Sequence, residues 1–254
     1  MRRRFFIDQF AAGRAVLGGD AAHHLGRVLR AEAGQLYELS DGNHLWLARI
    51  EEVKRDRVEF SLVEELPSRE SALRTTLLLS IVKFDAFEFA LEKATELGVS
   101  AIAPLAAARS EKALLAAAPK RAERWRKVLL EAAQQSRRLR IPTLGALTKP
   151  ETAFSTHIES LKILLSERAE TPPLRSILEA HSPASAVALA IGPEGGWTGA
   201  EFQCARENGF REASLGQLIL RTETAVLAAL ACLNYAFPSH PPNLANVPVS
   251  AKAV

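Results

Sequence analysis

AVALAIGPEGGWTGAEF, residues 186–202, runs from an apolar strand into a glycine-rich loop and then into a helix. An uninterrupted apolar strand belongs in a parallel sheet covered on both faces. Gly192, Pro193, Gly195 and Gly196 make a tight loop at the carboxyl end of that strand. Open α/β sheets bind their ligands at this place. Thr198 followed by Glu201 fits a capping box, so a helix begins there. The spacing matches neither G-x-G-x-x-G nor G-x-x-x-x-G-K-[ST], which argues against a dinucleotide fold and a P-loop.

Outward from this stretch, strands and helices alternate from Thr75 onward. TLLLSIVK, AIAPLA, LGAL, KILLSE, VALAIG and ASLG read as strands. DAFEFALEKATELG, a basic stretch from Pro119 to Ser136, the segment from Gly199 and TETAVLAALACLNYAF read as helices. The alternation predicts an α/β domain over 74–238 with a parallel sheet. In the first helix, Phe84, Phe87, Leu91 and Ala94 form a core face, and Lys93 and Glu96 sit off it at pairing distance. The last helix is apolar on more than one face, through Val226, Leu227, Leu230, Leu233, Tyr235 and Phe237. Such a helix needs cover on nearly all sides, and a second subunit would supply part of it.

A second segment, ASLGQLILRTETAVLAAL (213–230), places a strand end at Leu215-Gly216 and an apolar Leu218-Ile219-Leu220 before Arg221. An arginine between apolar runs has to be paired, with Glu194 or Glu223, or directed into a site. A third segment, KVLLEAAQQSRRLRIPTL, ends a helix in Arg137-Arg138-Leu139-Arg140. Arginines there suit phosphate contacts or the helix carboxyl terminus.

Residues 1–70 read differently. FFID, YELSD, HLWLARIEEV and RVEFSLVEEL are short strands, and AAHHLGRVLR fits one helix, which predicts a small β-barrel. A linker follows at Pro67–Arg74, and residues 239–254 form a proline-rich tail without periodicity. Net charge is only +3, but it is unevenly distributed. Arg2, Arg3, Arg4, Arg27 and Arg30 crowd the first thirty residues, and a second basic cluster covers 120–140. Both suit a phosphate backbone. Cys204 and Cys232 cannot build a disulfide framework and read as small core residues of a reduced, cytoplasmic protein. No signal peptide or membrane span is expected, and the six histidines lack the spacing of a metal site.

The stretches RRFFI (3–7), HHLGRVLR (23–30), KATELGV (93–99), AAQQSRR (132–138), IGPEGGW (191–197) and LGQLILRTETA (215–225) together resemble the RsmE family of the SPOUT superfamily. The likeness departs at Gln134 and at Leu218. The resemblance implies a PUA-like RNA-binding barrel followed by a methyltransferase domain with a trefoil knot, acting as a homodimer. It implies S-adenosylmethionine, without a metal, as donor for methylation of uridine N3 in 16S ribosomal RNA. Carried over by position, the donor pocket uses Leu165, Gly192, Gly195, Gly196, Leu215, Gly216, Ile219 and Leu220. Arg221 and Glu194 are the catalytic candidates. Arg2, Arg3, Arg4, Arg27, Arg30, Arg137 and Arg138 are the RNA-binding candidates. A non-catalytic RNA-binding assembly factor on the same fold is the competing reading. It need not keep a donor pocket.

Overall fold

A computed structural model describes residues 3–67, 72–181 and 184–237. Arg2, the middle of the 67–74 linker and the 239–254 tail lie outside the described residues.

The amino-terminal sheet contains β1 (Arg4–Phe6), β2 (Phe10–Ala11), β3 (Arg14–Gly18), β4 (Leu36–Ser40), β5 (Leu45–Val53) and β6 (Arg57–Glu65), in the order β1-β4-β5-β6-β3-β2. Its inward side chains, among them Phe5, Leu17, Leu39, Ile50 and Phe60, close one core with Leu25. The helix expected over 21–30 is a short α1 (Gly19–His23) followed by a π-helical turn (His24–Val28). The β2–β3 hairpin has no counterpart in the sequence reading. Its two central residues, Ala12 and Gly13, both take positive φ, the geometry of a two-residue hairpin loop. An alanine there hides the signal that Asn-Gly would have given.

The second sheet is parallel at every pairing. It holds β7 (Arg74–Ser80), β8 (Ala101–Leu105), β9 (Thr143–Leu144), β10 (Leu161–Leu165), β11 (Ala186–Ile191) and β12 (Arg211–Ala213), in the order β12-β10-β11-β7-β8-β9. Successive side chains point to opposite faces. Leu77, Leu79, Ile163, Leu189 and Ile191 therefore pack under α2 (Phe84–Glu96), α3 (Lys112–Gln135) and α7 (Thr222–Ala236). Leu78, Leu164, Ala188 and Ala190 pack on the other face with α4 (Pro150–Thr156) and α6 (Gly199–Glu207). A short α5 (Leu174–Ala180) completes the domain. This is the reason the strands read as continuously apolar. The Lys93–Glu96 pair forms at 2.8 Å, and the Thr198–Glu201 capping box is complete.

Several boundaries differ from the sequence reading. The basic helix begins at Lys112, with Pro119 inside it. Alanine and leucine over 113–118 favour helix, and buried Ala118 packs into the core, which offsets the one lost hydrogen bond. The strand expected to end at Leu215-Gly216 ends at Ala213, because Ser214 turns to bond Pro172 and Leu174 of the neighbouring loop. Cys204 is half-buried and Cys232 is exposed, so Cys232 is not a core residue. Its place on the outward side of α7 explains why the helix pattern misled. No helix among the described residues is long and apolar enough to cross a membrane.

Candidate active site

Three segments meet at the carboxyl ends of the central strands: 165–168 after β10, 191–197 after β11, and 215–225 into α7. They enclose a cavity of about 240 Å³. Leu165, Ile191, Leu215, Ile219, Leu220 and Ala225 give it apolar walls. Gly192, Gly196 and Gly216 bring bare backbone to its surface. Arg109, Glu167, Arg168 and Glu194 supply charge at its edges. Gly195 lies off the cavity. Its carbonyl accepts a hydrogen bond from Arg109 Nη1 at 2.8 Å.

The glycine loop is held from three sides. Pro193 C=O accepts from Gly196 N at 2.8 Å, and Gly196 takes φ +68 to close that turn. Gly192 faces the Trp197 indole so closely that a Cβ would sit 3.1 Å from Cε2. Trp197 Nε1 in turn donates to the Leu165 carbonyl at 3.1 Å, tying the β11 loop to the end of β10. Thr222 Oγ1 donates to the Gly192 carbonyl at 3.2 Å, which fixes the start of α7 on the same loop. Below the loop, buried Glu201 accepts from Thr198 N at 2.7 Å and from Ala108 N at 2.9 Å. The capping carboxylate thus also anchors the loop that carries Arg109.

Arg221 and Glu194 are not paired. Both are exposed, and no ion pair of either is formed among the described residues. The expected pairing of Arg221 with Glu194 or Glu223 does not form, and the apolar residues before it are themselves outside. Leu218 is 81% exposed and Ile219 79%. The segment stands up as a rim rather than folding into the core. Arg221 caps α7 between Leu220 and Thr222, which both line the cavity, while its own side chain does not.

The basic candidates divide in the same way. Arg3, Arg27, Arg30 and Arg137 are exposed. Arg4 is only 8% exposed and is committed to Glu38, 2.8 Å away. A phosphate would have to displace that carboxylate, so Arg4 leaves the list of RNA contacts. Arg138 donates to the Thr95 carbonyl at 2.9 Å and to the Gly98 carbonyl at 3.4 Å, capping the end of α2. Sequence reasoning missed Trp197, Arg109, Thr222 and Glu167 as parts of the site. Trp197 was visible beside the glycines and Glu167 stands two residues after Leu165, but Arg109 lies far away in sequence with no local signal.

The family model for the RNA methyltransferase domain matches residues 69–234, and that for the RNA methyltransferase PUA domain matches residues 17–63. The chain belongs to the RNA methyltransferase family. The first match contains the whole parallel sheet and all three cavity segments; the second runs from the end of β3 through β4 and β5 into β6. Among RNA methyltransferases it is similar to ribosomal RNA small subunit methyltransferase E of Synechocystis sp., 34% identical over 89% of this chain and 75% of that protein. The enzyme of the same name from Bacillus subtilis is 31% identical over 85% of this chain and 88% of its own length. Among solved structures, ribosomal RNA small subunit methyltransferase E of Neisseria gonorrhoeae bound to S-adenosyl methionine superposes with a TM-score of 0.84 at 32% identity. It covers 93% of this chain and 98% of that one.

Proposed function

We propose that this RNA methyltransferase transfers a methyl group from S-adenosylmethionine to N3 of a uridine in 16S ribosomal RNA of the small ribosomal subunit, in the cytoplasm. The cavity closed by the three segments at the ends of β10, β11 and β12 carries the reading. Its residues fit the donor. Apolar walls from Leu165, Leu215, Ile219 and Leu220 suit an aromatic ring, and glycine backbone at 192, 196 and 216 leaves room for close polar contacts. Once bound, the sulfonium offers its methyl group to an in-line nucleophile. The trefoil knot and the division into a 1–70 barrel, a 74–238 catalytic domain and a 239–254 tail belong to the same proposal.

Uracil N3 is a poor nucleophile until its proton leaves. Arg221, on the rim beside Leu220, is the candidate to stabilise negative charge growing on a uracil carbonyl oxygen. Glu194, which lines the cavity and forms no ion pair among the described residues, is the candidate to take the proton. No metal enters this scheme. The test is methylation of small-subunit RNA with labelled donor, followed by mass mapping of the product. A methyl group on uridine N3 is expected. Donor binding without any transfer would instead favour the assembly-factor reading.

Arg3, Arg27, Arg30 and Arg137 form the proposed RNA face. Replacing Arg3, Arg27 and Arg30 together by alanine should flatten the salt dependence of RNA binding by about two to three units of log–log slope, since each lost phosphate contact removes counterion release. Donor affinity should not change. An unaltered slope in filter-binding titrations would make these arginines a solvated edge.

The outward stripe of α7 carries Thr224, Ala228, Ala231 and Tyr235, with Tyr235 91% exposed. Such a stripe suits the same stripe of a second copy. Light scattering should give a mass near twice 27.6 kDa; a monomer at micromolar concentration would contradict the homodimer.

A further inference from the structure

The buried Arg4 lies at the seam between the two sheets. Its Nε and Nη2 donate to Glu38 Oε2 at 3.1 and 2.8 Å, within the barrel. Its Nη1 donates across the seam to the carbonyl of Arg137, just beyond the end of α3. Arg137 holds a left-handed φ of +56, uncommon for a side-chain-bearing residue, and its guanidinium comes within 3.9 Å of Glu38 Oε1. Two residues further, the Leu139 carbonyl accepts from Ser40 Oγ at 2.7 Å. Arg140 donates back to the Gly42 carbonyl and to Asn43 Oδ1 at 3.2 Å. The 137–140 segment is thus joined to β1, to β4 and to the turn after it.

We propose that the Arg4–Glu38 pair is a latch that sets the barrel against the catalytic domain, which makes both of them positioning residues for the RNA. The inference rests on the RNA-methyltransferase reading for what the latched surface serves. One guanidinium takes partners from both domains, and a buried cation of this kind holds its place only while the carboxylate remains. Arg137 and Arg140 are exposed on the segment the latch holds, and Arg3 is exposed beside Arg4. The latch therefore fixes the spacing between basic groups of two domains. An RNA chain that meets groups already spaced loses less freedom on binding than one that must order them.

The sign of one effect separates this role from a plain RNA contact. Glu38→Gln removes a negative charge from a protein that binds a polyanion. Electrostatics alone would tighten RNA binding. The latch requires the reverse: a KM for RNA raised on the order of tenfold or more, with donor affinity unchanged. The same variant, and Arg4→Ala, should broaden the distance distribution between spin labels at Arg55→Cys in the barrel and Glu207→Cys on α6, in a chain whose Cys204 and Cys232 are replaced by serine. Arg4→Lys, which keeps the charge but lacks the planar fork that reaches Glu38 and the Arg137 carbonyl together, should restore the distances only in part. If Arg4→Ala does not fold, the near-isosteric Glu38→Gln carries both measurements. Equal or tighter RNA binding by Glu38→Gln, or unchanged label distances, overturns the latch. A wild-type chain that fails to bind RNA overturns the functional reading, while the label distances still decide the latch.

Discussion

Gly196→Val yields a folded protein that no longer binds S-adenosylmethionine. Gly196 adopts φ +68, which a β-branched residue enters only under strain of about 1–3 kcal/mol. That cost is smaller than the roughly 5–15 kcal/mol that holds a domain together, so folding survives. The loop geometry does not. A Cβ at this position meets Glu167 Oε1 at 3.4 Å and Arg109 Nη1 at 4.0 Å, and the branches of valine extend further among the groups that border the cavity. Relief requires opening the Pro193–Gly196 turn, which moves the whole surface offered to the donor. A loss of at least 100-fold in affinity, about 2.7 kcal/mol, is the expected calorimetric result. Gly195→Ala is the matched control. Gly195 is off the cavity and has no positive φ, so the added methyl presses on the Arg109 side chain, 3.2 Å away, and should cost much less. A folded Gly196→Val protein with wild-type donor affinity would move the pocket elsewhere.

The sequence makes the sheet legible because each central strand is buried on both faces, so Leu77 and Leu78, or Ala190 and Ile191, both had to be apolar. The glycine loop is legible because backbone that approaches a ligand or an indole excludes side chains, and Gly192 against Trp197 is such a contact. What stayed hidden depends on partners distant in the chain. Arg4 and Arg138 look like two more arginines of a phosphate-binding cluster. Only the folded chain brings Glu38 to the first and the end of α2 to the second. Arg109 reaches Gly195 from 86 residues away. The end of β12 was misplaced because Ser214 bonds to the 171–174 loop, which no period of β12 announces. A hydrophobic period reports which face of an element is covered and is silent on such distant partners.

Arg221→Ala should lower the rate of methylation by 10²–10³, about 2.7–4 kcal/mol of transition-state stabilisation, while leaving donor affinity within a few-fold of wild type. The backbone around Arg221 is fixed. Thr222 is buried and its hydroxyl holds the Gly192 carbonyl at 3.2 Å, so the start of α7 cannot drift from the glycine loop. Leu220 and Thr222 on either side line the cavity, yet the Arg221 side chain is outside it and in no ion pair among the described residues. A guanidinium so placed does little for the donor in the apo or donor-bound protein. In the proposed reaction it acts when a uracil enters beside the methyl group and charge builds on the uracil carbonyl oxygen as the N3 proton leaves. An interaction made only then raises the rate without raising donor affinity. Arg221→Lys should recover part of the loss, because an ammonium supplies charge but not the planar pair of donors. Single-turnover methylation of small-subunit RNA, with donor titrations on the same preparations, reads these quantities apart from product release. A variant that binds the donor and methylates at the wild-type rate would remove Arg221 from the chemistry. A variant that loses donor binding together with rate would make it a support for the rim on which Leu220 stands.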